Sequence, residues 1–229
     1  MDNKNQWCFA WIVSAPATAG ADRAALVKGA KWRQGDQISV SFLDGDPVVQ
    51  EKVRRVAQQW TMPGLANLTL GFRNDTKNTD IRISFRYRGS WSTIGTTCRQ
   101  VRDITQPTMN YGWLDQNSTD EEIERVVLHE FGHALGLIHE HQNPGGFIAW
   151  DREQVINDLS GYPNYWSLED IERNMFVPYA KAETNYTALD TNSIMMYPIP
   201  AKWTKNGMNV GLNSKLSDTD KQFIREQYP

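Results

Sequence analysis

All four histidines of this 229-residue chain, His129, His133, His139 and His141, fall within thirteen consecutive positions. Histidines scattered through a core would not crowd in this way, and the residues around them restrict how the segment folds. Upstream, Ser118 and Glu121 stand three apart, as a capping box requires. Asp120, Glu121 and Glu122 put negative charge where the positive end of a helix begins. The helix predicted from there runs through Val126, Val127 and Leu128 and stops at Gly136, which accepts the left-handed backbone of a C-terminal cap. His129 and His133 are four apart on it, so they share one face a turn (~6 Å) apart and can converge on one metal ion at ~2.0–2.1 Å. Glu130 then lies beside the metal without ligating it, placed to take a proton from a water. His139, six residues beyond His133, would point elsewhere on a straight helix. The break at Gly136 turns the chain back and makes it a third ligand. Three neutral imidazoles leave one tetrahedral position open, the mark of a catalytic zinc site and not a closed structural one.

Composition narrows the class further. With 24 basic and 27 acidic residues, a net charge of −3 and no run of five like charges, a nucleic-acid partner held by phosphate contacts is excluded. Aromatic residues make up 11% of the chain, which supplies the apolar area of a folded core and not of a solvated tail. The longest apolar run, seven residues from Trp7 to Val13, is far short of a membrane span. The length fits one domain, or one domain with two lobes across a cleft. Two cysteines, Cys8 and Cys98, cannot build a disulfide scaffold or a four-cysteine zinc site; one bridge and two buried thiols are both open. No convincing signal peptide is visible, since Lys4 is offset by Asp2 and the apolar stretch is minimal.

Along the chain, residues 1–36 are weakly patterned, with a short helix around Ala21 to Lys31. Ile38, Val40 and Phe42 alternate as a strand, closed by the turn Asp44-Gly45-Asp46-Pro47. Val49, Val53, Val56 and Trp60 follow one helix face, with Asp46 as N-cap and Pro47 in the first turn. Leu68, Leu70 and Phe72 predict a second strand; Ile81, Ile83 and Phe85 a third that continues toward Trp91 and Ile94; Thr108 to Trp113 a fourth. Beyond Gly136 only two good helices are expected, Ser167 to Phe176 and Ser217 to Gln227, each capped by a serine with an aspartate three on.

His129-Glu130-x-x-His133-x-x-Gly136-x-x-His139 resembles the zinc signature of metzincin peptidases, and the fit is best with the astacin-like branch. Glu140 directly follows the third histidine, as that branch requires, and Trp150-Asp151-Arg152 resembles the stretch beyond it. Ser193-Ile194-Met195-Met196-Tyr197, which opens 54 residues past His139, matches the methionine turn with Met195 as its methionine. Trp91 to Gly95 and Leu216 to Asp220 resemble further family segments, so the likeness covers roughly residues 37–229. It implies an α+β, two-lobed catalytic domain: a twisted, mostly parallel sheet with an antiparallel edge strand, an active-site helix, and a mostly irregular C-terminal lobe with the methionine turn and a final helix. The expected layout is an N-terminal extension or pro-like segment at 1–36 and a catalytic domain at 37–229, with lobes 37–136 and 137–229.

It further implies one catalytic zinc ion on His129, His133 and His139, Glu130 as general base, and Tyr197 as a second catalytic group that stabilises the reacting oxyanion. Gly136, Glu140 and Met195 are then structural residues near the site. A protein or peptide substrate is expected, paired with an edge strand near residues 106–113, by a monomeric, secreted or extracellular enzyme. The departures are a serine at position 90 and a methionine at 196, where astacins carry a cysteine and a histidine, and the absence of a cysteine near the C-terminus. A thiolate from Cys8 could occupy the open zinc position and keep the enzyme latent, against the plainer roles of a buried thiol or a bridge to Cys98. Two other functions stay open: a zinc-bearing peptide-binding module without turnover, against which the intact Glu130 argues, and a non-proteolytic zinc amidohydrolase. The latter needs another third ligand, commonly cysteine, and neither cysteine lies in a suitable motif.

Overall fold

A computed structural model of the chain describes residues 8–11, 28–76, 78–162, 164–178 and 185–229. Residues with alternating β-branched and aromatic side chains form β2 (Gln37–Phe42), β3 (Thr69–Arg73) and β4 (Ile81–Ser84). Between β2 and β3 runs α1 (Pro47–Ala57), which starts where Asp46 accepts hydrogen bonds from the backbone of Val48 and Val49 with Pro47 in its first turn. The residues Asp44 to Pro47 are therefore a structural turn, and Asp44 also accepts hydrogen bonds from Ser84 Oγ and Phe85 N.

The third predicted strand does not continue to Ile94. Residues 85–89 bend away, and Asn110 Nδ2 donates to the carbonyls of Tyr87 and Gly89, so the chain reverses into β5 (Ser90–Thr93). β6 (Met109–Tyr111) follows. With β1 (Cys8–Trp11) these strands make a six-stranded sheet in the order β1-β5-β6-β4-β2-β3. β3, β2, β4 and β6 are mutually parallel, and β5 is antiparallel to β6. β1 lies outside β5 and parallel to it, Cys8 opposite Ser90 and Trp11 opposite Thr93. The strand predicted around residues 106–113 is thus no edge: β6 is flanked by β4 and β5, and the outer side of β5 faces β1. This is the mixed α+β architecture expected, a mostly parallel sheet with one antiparallel pairing, β5 against β6, toward one margin.

The long helix α2 (Asp120–Ala134) packs on α1, β5 and β1. Its N-cap is Thr119, whose hydroxyl accepts from Glu122 N, one residue later than the capping box anticipated. Ser118 is drawn off by Asp115, to which its backbone and hydroxyl both donate. The remaining helices are α3 (Arg152–Ser160), α4 (Leu168–Ile171), continued by a wider π turn over Glu172–Phe176, and α5 (Asp218–Gln227). Of the N-terminal helix expected at 21–31, residues 21–27 lie outside the described residues and Lys28–Ala30 form one 3₁₀ turn.

Two apolar cores result. The larger joins β2, β4, α1 and α2, and Ile194, Met195, Ile224 and Tyr228 from the last part of the chain enter it too. The smaller collects Val155, Leu159, Ile171, Met175, Tyr197, Ile199 and Trp203. No helix among the described residues is long and apolar enough to cross a membrane.

Candidate metal centre

The end of α2 builds the site. Leu137 N donates to Gly132 O at 2.9 Å and Gly136 N to His133 O at 2.8 Å, the pair of bonds of a Schellman cap, with Gly136 at φ +100°. Carbonyls that the helix end leaves over are taken by distant donors: Trp32 Nε1 reaches Ala134 O at 2.8 Å and Tyr228 Oη reaches Leu135 O at 2.7 Å. The turned chain then does two things. It presents Leu137 O to His133 Nδ1 at 2.8 Å, and it returns His139 so that its Nε2 lies 3.2 Å from His133 Nε2. His129 Nδ1 donates to Ile194 O at 2.8 Å.

These bonds decide the tautomers. A carbonyl only accepts, so His129 and His133 carry their protons on Nδ1 and direct Nε2 lone pairs inward. One donor nitrogen from each of His129, His133 and His139 lies within 4.8 Å of the other two. Two nitrogens on a tetrahedral zinc ion are about 3.3 Å apart when each bond is ~2.0–2.1 Å, close to the His133–His139 separation. His129 Nε2 is buried and has no hydrogen-bond partner among the described residues, a costly arrangement that a cation relieves. Burial holds His129 and His139 well below the ordinary imidazole pKa and His133 down to about 4, so all three are neutral ligands near pH 7. The three histidines are positioned to bind one zinc ion.

Around them stand the other predicted residues. Glu130 is fully buried on α2, next to the first ligand. Tyr197 is buried too, its ring centroid 4.2 Å from that of His139 and 4.6 Å from that of His141. Met195 packs beneath α2: a Cβ added to Gly132 would run into Met195 Sδ, so only glycine lets the methionine turn approach so closely. Glu140 N donates to Met195 O at 2.9 Å, and the Glu140 carboxylate accepts from Asn143 Nδ2 and Asp190 N. Burial raises its pKa to about 7.

A family model for the astacin peptidases matches residues 27–229. The chain belongs to the astacin family. Among curated proteins, "Zinc metalloproteinase nas-30" of Caenorhabditis elegans is 25% identical over 224 residues, which cover 91% of this chain and 26% of that protein. The chain therefore spans about a quarter of the length of that relative. A structure of myroilysin superposes with a TM-score of 0.85 at 45% identity, covering 89% of this chain and 98% of that one. A second myroilysin structure gives 0.70 at 41%, covering 98% and 91%.

This astacin departs from the sequence reading in its surroundings more than at its centre. Cys98 is a free, buried thiol with its pKa pushed up to about 12 by burial, so the bridge between the two cysteines is not formed. Cys8 is described only as backbone of β1, and its side chain lies outside the described residues. His141 is no ligand of the group; its Nε2 donates to Asn174 O at 2.7 Å and its ring stacks on Tyr197. Two residues named in the sequence only as parts of motifs have a role at the site that the sequence reading missed: Ser193 and Asp220 hold the backbone of the methionine turn. Asp220 was legible only as half of the capping box of α5, because nothing local signals that its carboxylate reaches Ile194.

Proposed function

We propose that this chain is a zinc endopeptidase that hydrolyses peptide bonds in extended protein segments. The observation that carries the reading is the convergence of three neutral imidazoles beside the buried carboxylate of Glu130. His129, His133 and His139 would hold the ion, which when bound supplies a Lewis acid for the scissile carbonyl and lowers the pKa of water toward ~7. Glu130 takes the proton of the attacking water and returns it to the leaving amine. The Tyr197 phenol donates a hydrogen bond to the carbonyl oxygen as that oxygen gains charge, an effect commonly worth ~2.7–4 kcal/mol per donor. Gly136, Glu140 and Met195 hold this arrangement in place without reacting.

The substrate adds a strand to the outer edge of β5, where main-chain hydrogen bonds select extended peptides irrespective of side chain. In the structure that edge is paired with residues 8–11, and both β5 and β1 lie against α2. We therefore read the part of the N-terminal extension that carries β1 as a pro-like segment that holds the place of substrate, with Cys8 the thiol that covers the metal. Release of the part of that segment that carries β1 would leave a catalytic chain that keeps Trp32, whose indole holds Ala134 O, and acts as a monomer outside the cell. Digestion of unfolded casein by the chain freed of that segment tests the main reading. Cleavage should vanish with a chelator and return with zinc; cleavage that persists in chelator refutes a zinc peptidase.

A further inference from the structure

The methionine turn does more than support the zinc site from below. The peptide between Ile194 and Met195 accepts at its carbonyl from His129 Nδ1, at 2.8 Å, and donates from its N–H to Ser193 Oγ, at 3.0 Å. Ser193 Oγ, having accepted there, must turn its own proton elsewhere, and it lies 2.7 Å from Asp220 Oδ1. Asp220 Oδ2 accepts from Ile194 N at 2.8 Å and from Ser217 N at 2.9 Å. Each hydrogen bond of the relay thus has its donor and acceptor assigned, and its five residues, His129, Ile194, Met195, Ser193 and Asp220, are all buried.

We propose that Asp220, acting through Ser193 and the Ile194–Met195 peptide, is a positioning residue for the zinc ligand His129. The carboxylate polarises the Ser193 hydroxyl, the hydroxyl oxygen polarises the peptide N–H, and the peptide carbonyl becomes a better acceptor for the imidazole proton. Hydrogen bonds in such a chain strengthen one another, and burial in a low dielectric keeps the effect from being screened. The result is a carboxylate–histidine–zinc arrangement with a hydroxyl and a peptide interposed, which orients His129 and makes its Nε2 a stronger donor. Because Asp220 also caps α5, the last helix of the chain is coupled to the first ligand.

This inference rests on the three-histidine zinc site. Its test is the zinc dissociation constant, measured by competition with a chromophoric chelator, for the parent, Ser193→Ala and Ser217→Ala. Ser193→Ala cuts the relay. Ser217→Ala removes a cap hydroxyl from α5 and its bond to Asp190 but leaves the relay whole. The expected result is a tenfold or greater rise in the constant for Ser193→Ala and a value near the parent's for Ser217→Ala. A Ser193→Ala constant within about twofold of the parent's, or an equal rise in both variants, overturns the proposal. A parent that takes up no zinc overturns the metal site itself, and the relay with it. Should Ser193→Ala not fold, the parent decides the matter. The Nδ1–H bonds of His129 and His133 are both 2.8 Å long. A difference in their proton shifts therefore reports what stands behind each carbonyl. The relay places the His129 proton downfield of the His133 proton, and coincident or reversed shifts overturn it.

Discussion

Gly136 is the residue at which one added methyl group tests how the metal centre is assembled. Its φ of +100° ends α2, and the turn made there aims Leu137 O at His133 Nδ1 and brings His139 back to His133. A Gly136→Ala side chain meets a backbone conformation that costs a non-glycine residue about 1–3 kcal/mol. That energy has two outlets. If the turn holds its shape, the whole cost is lost from the folded state, and for a chain of this size each kcal/mol lowers Tm by about 2–4 °C. If the turn relaxes, two of the three ligands lose their support, and 1–2 kcal/mol taken from metal binding weakens zinc affinity by about 5–30-fold. Melting of the zinc-free and zinc-loaded forms, with a zinc titration by chelator competition, measures both outlets. Gly207→Ala is the control: Gly207 has φ +70° with open space around it, so it should lose stability but no zinc affinity. A Gly136→Ala protein with the parent's Tm and the parent's zinc affinity would refute the argument that this turn builds the site.

Three further outcomes are expected. Tyr197→Phe should slow turnover with zinc content intact, and unchanged kinetics would remove Tyr197 from the reacting groups. Cys8→Ala should raise the activity of the purified chain if that thiol covers the metal; equal activity removes it. The zinc-free protein should lose stability as pH falls. Burial holds His133 and His141 near pKa 4 and pushes His129 and His139 well below the ordinary value of 6.5. The unfolded chain therefore binds more protons than the folded one between about pH 6.5 and 4, and stability declines through that window by a few kcal/mol. Glu140, raised by burial to about 7, and Asp220, also raised by burial, act in the opposite sense but are two groups against four. A zinc-free Tm that stays level from pH 7 to 4 would contradict this.

What was legible in the sequence is what local chemistry decides. The helix α2, its glycine stop and the ligand spacing follow from caps and period, and the caps of α1, α4 and α5 fall where serine or aspartate precedes the helix. Missed features depend on partners far along the chain. The apolar alternation from Ile81 to Ile94 gives no sign that Asn110 and Asp44 bend the chain at residues 85–89. β1 exists by pairing with β5, and no periodicity in residues 8–11 announces it. α3 was overlooked because only Val155 and Leu159 are buried along it, although Asp151 caps it. In the site the ligands were evident from their spacing. The Ser193–Asp220 link was not, because it joins a turn to a helix cap that the chain brings together only on folding.

The most direct test of the account is Glu130→Ala. Glu130 sits on α2 between two ligands that are themselves held by Ile194 O and Leu137 O, so removing its carboxylate should leave their geometry untouched. Freed of the pro-like segment, the variant should fold, hold one zinc ion per chain and cleave casein at no measurable rate, where the parent freed in the same way cleaves it. Zinc-loaded Glu130→Ala protein that digests casein at the parent's rate would contradict the central claim.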